Sequence, residues 1–177
     1  MKRRAPRLPL LLRCILAVLA TASLSPAHAA PGELEAKIKA AYVFHIIKFV
    51  DWPSLPADAL QLCVAGNDGV TQLLVDLAGK QVKDRPLKID SDGSFEPAQC
   101  QVLYVGRPEK RWAELQARLR GQAVLTVSDQ DGFARGGGIV GLYPEGGKIK
   151  LEINPDAARS ANLRISAKLL ELARTVP

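Results

Sequence analysis

The chain has 177 residues, nearly half of them apolar, enough for one sizeable core. Its formal charge of +6 would suit nucleic acid, but five of the 24 basic residues (Lys2, Arg3, Arg4, Arg7, Arg13) fall in the first 29 positions, where no acid occurs. Without them, 24 − 5 leaves 19 basic residues against 18 acidic ones, a balance of +1, and no basic stripe remains to follow a phosphate backbone.

Those first residues have the three parts of a secretory signal. MKRRAPR is the basic n-region, an apolar run from Leu8 to Leu24 is interrupted by Arg13, and Ala27-His28-Ala29 is a small-x-small site behind Pro26. Cleavage is expected after Ala29, so residues 1–29 form a signal peptide and 30–177 the working domain. A membrane anchor is the competing reading, and Arg13 and the flanking prolines count against a stable span. Cys14 invites a lipoprotein reading, but Arg13 stands where lipid attachment needs a small residue. Export makes the remaining cysteines, Cys63 and Cys100, a default disulfide, with two buried free thiols as the alternative.

The first element is a helix over 34–50. Leu34, Ile38, Ala41, Tyr42 and Phe49 share one stripe at helical spacing, with Phe44, Ile46 and Ile47 beside it. His45 falls on the same stripe. Pro53 ends the element and leaves Trp52 extended. Leu60 to Ala65 reads as a buried strand, followed by a Gly-Asn-Asp-Gly turn and a short helix over 70–77 that Gly79 stops. Pro86 to Asp90 predicts an edge strand, since a proline is tolerated there. Cys100 to Val105 is a second buried strand. Glu109 to Leu119 is an amphipathic helix with Trp112, Leu115, Gln116 and Leu119 on one face. Ala123 to Val127 is a third buried strand. Short strands that are apolar on both faces, alternating with helices, predict an α/β fold with a largely parallel sheet flanked by helices.

The pattern then changes. Ile139 to Tyr143 and Lys148 to Ile153 flank Pro-Glu-Gly-Gly and predict an antiparallel hairpin, so the sheet is mixed. Asn154-Pro155-Asp156 starts a short helix that runs to about Ala161. Leu163 to Ile165 is extended. Ser166 caps a final helix expected to pack Leu169, Leu170, Ala173 and Val176 inward.

Candidate chemistry is sparse. Outside the signal the chain has one histidine, His45, with no partners at metal-ligand spacing and no nucleophile motif to serve. No catalytic, cofactor-binding or metal residue is therefore assigned. The glycine-rich stretch Gly132 to Gly138 could cradle a phosphate, but it matches neither dinucleotide nor P-loop spacing and leads into a strand, so a tight loop is the better reading. Asp129 and Asp131 are expected to be solvated. These residues point to binding rather than chemistry.

Four segments carry a resemblance: KAAYVFHIIKFVDWP at 39–53, CQVLYVG at 100–106, LTVSDQDGFARGGGIVGL at 125–142 and KIKLEINPDAARSANLRISAKLLELA at 148–173. In order and spacing the chain resembles the YfiR/HmsC-like family of small periplasmic proteins. The resemblance implies a periplasmic repressor that binds the periplasmic region of an inner-membrane diguanylate cyclase. It would thereby lower cyclic di-GMP and biofilm formation. It also implies a homodimer, and disulfides used for stability and redox response. Two departures stand out: position 45 is more usually Asn, and only one cysteine pair is present where some members carry two. The alternatives are a periplasmic small-ligand sensor signalling to another membrane receptor, and an enzyme. The stripe of the first helix and the leucines of the last are candidate contact surfaces, with core as the competing reading.

Overall fold

Strands that are apolar on both faces need cover on both sides, and the chain supplies it. The computed structural model describes residues 31–107 and 109–176. The expected signal peptide lies outside the described residues. Helix α1 (Pro31–Lys48) leads into a two-residue strand β1 (Val50–Asp51). Strand β2 (Leu60–Ala65), helix α2 (Gly69–Leu74) with a 3-10 turn behind it, and strands β3 (Gln81–Val82) and β4 (Arg85–Asp90) follow. Then come β5 (Val102–Val105), α3 (Trp112–Arg118), β6 (Leu125–Ser128), β7 (Val140–Glu145) and β8 (Lys148–Ile153). The chain closes with α4 (Pro155–Ser160), β9 (Arg164–Ile165), α5 (Ala167–Glu171) and β10 (Ala173–Thr175).

Eight strands form one sheet in the order β10-β8-β7-β6-β5-β2-β4-β3. The run from β4 through β2, β5 and β6 to β7 is parallel, whereas β7 and β8 form the expected antiparallel hairpin. Its turn is Gly146-Gly147, with φ of +58° and +72°, a conformation that a side chain would strain. The fold class is the expected one: a mixed, largely parallel sheet flanked by helices. Alternation divides the buried side chains. Leu62, Val64, Val102, Tyr104, Leu125 and Val127 face α1 and α2. Cys63, Ala65, Leu103 and Val105 face α3, where Leu115, Leu119 and Phe133 complete a second, smaller core. Cys63 and Cys100 are joined by a disulfide on that side, with Cα atoms 5.8 Å apart.

The helix starts follow local chemistry. Asp68 accepts the amides of Val70 and Thr71, and Thr71 returns a bond to the Asp68 amide, a reciprocal cap on α2. Asn154 caps α4 ahead of Pro155, and Ser166 caps α5.

Several expectations are corrected. Of the two readings of the stripe 34/38/41/42/49, contact surface or core, core is the one that fails. The buried residues are Lys39, Ala40, Val43, Ile46 and Ile47, on the far side of the helix, while Leu34 and Ile38 are 56% and 39% exposed. Val50 then leaves the helix to pair β1 with β9, so the exit precedes Trp52. β4 is not the edge strand, because the chain first lays down β3 outside it. The last helix ends at Glu171. Pairing with β8 then draws residues 173–175 into strand β10, which extends the sheet beyond the hairpin.

Candidate functional site

Two places concentrate chemistry. The first lies at the carboxyl ends of the parallel strands. The strand order reverses between β2 and β5, and in open α/β sheets that switch point is where ligands usually sit. Asp129, just past β6, is buried there. Its Oδ2 accepts Lys39 Nζ at 2.7 Å, its Oδ1 accepts Arg107 Nε at 3.2 Å, and its carbonyl accepts Arg107 Nη2. Lys39 also meets Glu35 Oε1 at 2.6 Å. Asp68 takes the Arg107 amide at 2.6 Å as well as capping α2.

The crevice is closed at Gly106. A Cβ at Gly106 would come within 2.5 Å of Thr71 Cγ2 and 2.9 Å of Asp68 Oδ2. Burial alone would lower the Lys39 pKa, but its bonds to Asp129 and Glu35 outweigh that and raise it above 10.5. The Tyr104 hydroxyl, fully buried nearby, finds no hydrogen-bond partner among the described residues. Burial first, and then the carboxylates of Asp129 and Asp68, push its pKa far up. The cluster's charges are answered by the chain's own groups, so it ties α1 to the ends of the sheet.

Asp129 was expected to be solvated, and Lys39 carried no signal as a core residue. Its position offered one: Ala36, Lys39, Ala40, Val43, Ile46 and Ile47 share a helical stripe, and a lysine on such a stripe needs a buried partner.

The second place is the outer flank of α1. Leu34 and Ile38 stand on it beside partly buried Tyr42, and Leu172, 68% exposed at the end of α5, faces the same cleft. That cleft, about 440 Å³, has Ile149 and Leu151 of β8 as its floor. Isolated exposed leucines are ordinary, but a contiguous group beside a cleft marks a contact surface. His45 is exposed on this flank, with its ring 5.8 Å from that of Phe44. Among the described residues, no three His, Cys, Asp or Glu side chains are grouped to hold a metal ion, and no helix is long and apolar enough to cross a membrane.

The glycine-rich loop is a packing device. Trp112 Nε1 and Gln116 Nε2 both donate to the Gly136 carbonyl, and a Cβ at Gly137 or Gly138 would strike Gln116 or Phe133.

The family described as YfiR/HmsC-like matches residues 36–174. The chain belongs to the YfiR/HmsC-like family. This family is one of periplasmic regulators of diguanylate cyclases. The match takes in the Lys39–Asp129 tie, the disulfide and all of the sheet except the last residue of β10. No curated protein matches the chain.

Proposed function

We propose that the exported chain is a periplasmic repressor. It binds the periplasmic region of a membrane-bound diguanylate cyclase and thereby lowers cyclic di-GMP and biofilm formation. Family membership supports the class of function. The observation that carries a binding role is the apolar flank of α1 continuing onto Leu172, a surface that α/β packing leaves uncovered. Repression is then a population shift: the protein binds the inactive cyclase conformation more tightly than the active one. A preference of about 5.5 kcal/mol moves a two-state cyclase from almost wholly active to almost wholly inactive. The reading includes self-association as a homodimer, which the molar mass from static light scattering on the purified protein tests directly. Deleting the gene should raise cellular cyclic di-GMP, and affinity capture from membrane extract should recover a cyclase. Unchanged cyclic di-GMP together with no captured cyclase would overturn the repressor reading.

A cleft of about 420 Å³ between α3 and α4 favours the second reading, a small-ligand sensor. Trp112, Leu119 and Ile139 supply its apolar walls, and Gln116, Asn154 and Asp156 its polar groups. A ligand retained through purification would support it.

A further inference from the structure

This inference rests on the repressor reading and names the kind of segment that the surface takes. β10 runs parallel to β8 with Arg174 opposite Glu152, and the Val176 amide donates to the Ile153 carbonyl at 2.9 Å. Backbone groups alternate sides along a strand, so Arg174 and Val176 direct theirs to β8. The amides and carbonyls of Ala173 and Thr175 point away from the sheet, and no described strand lies beyond them. Proteins commonly blunt such edges with very short strands, proline, bulges or outward charges; β10 is three residues long and is followed in the sequence by Pro177, yet it leaves the groups of Ala173 and Thr175 outward. Here Ala173 and Thr175 are small, and the one charge on the strand is drawn back. Arg174 donates to Glu152 at 2.8 Å and lies over the Tyr143 ring at 4.7 Å.

The two faces beside this edge differ in chemistry. On the α1 face lies the apolar cleft of Ile38, Tyr42 and Leu172. Lys148 and Lys150 also border that cleft, but alternation along β8 sends their side chains to the opposite face, where Arg135 and Arg174 stand with Glu145 and Glu152 among the described residues. Two of those cations are already held on Glu152, while Lys148 and Lys150 form no ion pair among the described residues. A strand added to β10 therefore meets apolar surface with one set of alternate side chains and positive charge with the other.

We propose that β10 is a docking edge for an extended segment of the cyclase's periplasmic region, one that alternates apolar and acidic residues and adds to the sheet as a further strand. Main-chain bonds to Ala173 and Thr175 supply affinity, and the two faces supply specificity. In the one antiparallel register that uses the outward groups of both Ala173 and Thr175, a second copy of this chain fits the edge poorly. Antiparallel pairing about Arg174 would set the two Arg174 residues directly opposite each other, and facing like charges are destabilising.

The test uses the mature protein and a capped nine-residue peptide alternating Val and Asp, with a Val/Lys peptide as control, read by fluorescence anisotropy. Binding of the Val/Asp peptide at least tenfold tighter than the control is expected. Thr175→Pro removes an outward amide without touching the β8 ladder and should weaken binding at least tenfold with an unchanged melting curve. Lys150→Glu should narrow or reverse the preference between the peptides. Equal binding of both peptides, or wild-type binding by folded Thr175→Pro, overturns the proposal. So does a dimer that Thr175→Pro dissociates, which would give the edge to a second copy. In cells, full repression by Thr175→Pro overturns the docking edge and leaves the repressor reading standing. Unchanged cyclic di-GMP on gene deletion instead overturns the cyclase as the source of the segment, whatever the peptides do.

Discussion

The two edges of the eight-stranded sheet are built on opposite plans. At one end β3 is two residues long and turns straight back into β4 through Lys83 and Asp84, whose φ of +50° and +61° fit a tight hairpin turn. Val82 is buried, Lys83 Nζ reaches Asp51 at 2.6 Å, and Arg85 Nε donates to the Pro56 carbonyl at 2.6 Å. Both edge strands are short, but that edge is charged and its side chains are tied to neighbouring loops. At the other end β10 is open, its arginine is turned onto the sheet, and an apolar cleft runs beside it. An edge whose charge is turned inward next to exposed leucines invites cover, which is why the contact surface is placed there.

Variants can break or sharpen this contrast. The largest effect is expected from removing the disulfide. Cys63 and Cys100 are 37 residues apart, and the double alanine variant should lose about 3–4 kcal/mol in the chain-entropy estimate. Because Cys63 lies on β2, beside β4, hydrogen exchange at the protected β3 side should rise towards that of β10. Equal denaturation midpoints for the oxidised protein and this variant would show that the bridge contributes nothing to stability.

Lys39→Met should cost about 3 kcal/mol, because it leaves the buried Asp129 with only the half-exposed Arg107. It also releases α1, the wall of the cleft beside β10. The raised pKa of Lys39 fixes the pH dependence. Its contribution is fully present below the ordinary value of 10.5 and is lost only as the pH rises through the higher folded value. The stability gap between wild type and variant should therefore stay constant from pH 6 to 9 and close in strong alkali. A gap that closes near pH 7 would mean that another group carries the effect.

Glu152→Gln acts on the open edge and on the Arg135 loop. Its buried carboxylate accepts Arg135 at 2.6 Å and Arg174 at 2.8 Å, and losing that charge should cost about 2 kcal/mol. Amide exchange at Arg174 and Val176 should quicken while β3 and β4 stay unchanged. The smallest effect is Asp51→Ala at the protected edge. That exposed pair with Lys83 should be worth no more than about 0.5 kcal/mol in thermal unfolding. A loss of several kcal/mol would show that the ion pair, rather than the tight turn, holds β3 in place.

The two ends of the chain also differ in how far they could be read. Strands β2, β5 and β6 were legible because uninterrupted apolar runs between turn residues have few other uses. The starts of α4 and α5 were legible because Asn154-Pro155 and Ser166 satisfy helix amides locally. The face of α1 was left open between contact surface and core: apolar residues lie on both flanks, and spacing alone does not say which flank meets the sheet. The last strand was missed for a related reason. Leu169, Leu170, Ala173 and Val176 fit a helix, and only β8 lying alongside makes 173–175 extended.

By itself, then, the sequence determined what short-range chemistry decides: the buried strands, the caps, the glycine turns and the even pair of cysteines. The tertiary structure decided what depends on partners far apart in the chain. It joined Cys63 to Cys100, set Lys39 against Asp129 across 90 positions, and left β10 rather than β4 at the open edge. A buried charge or a strand edge is defined by what lies beside it, and those neighbours are brought together only by the fold.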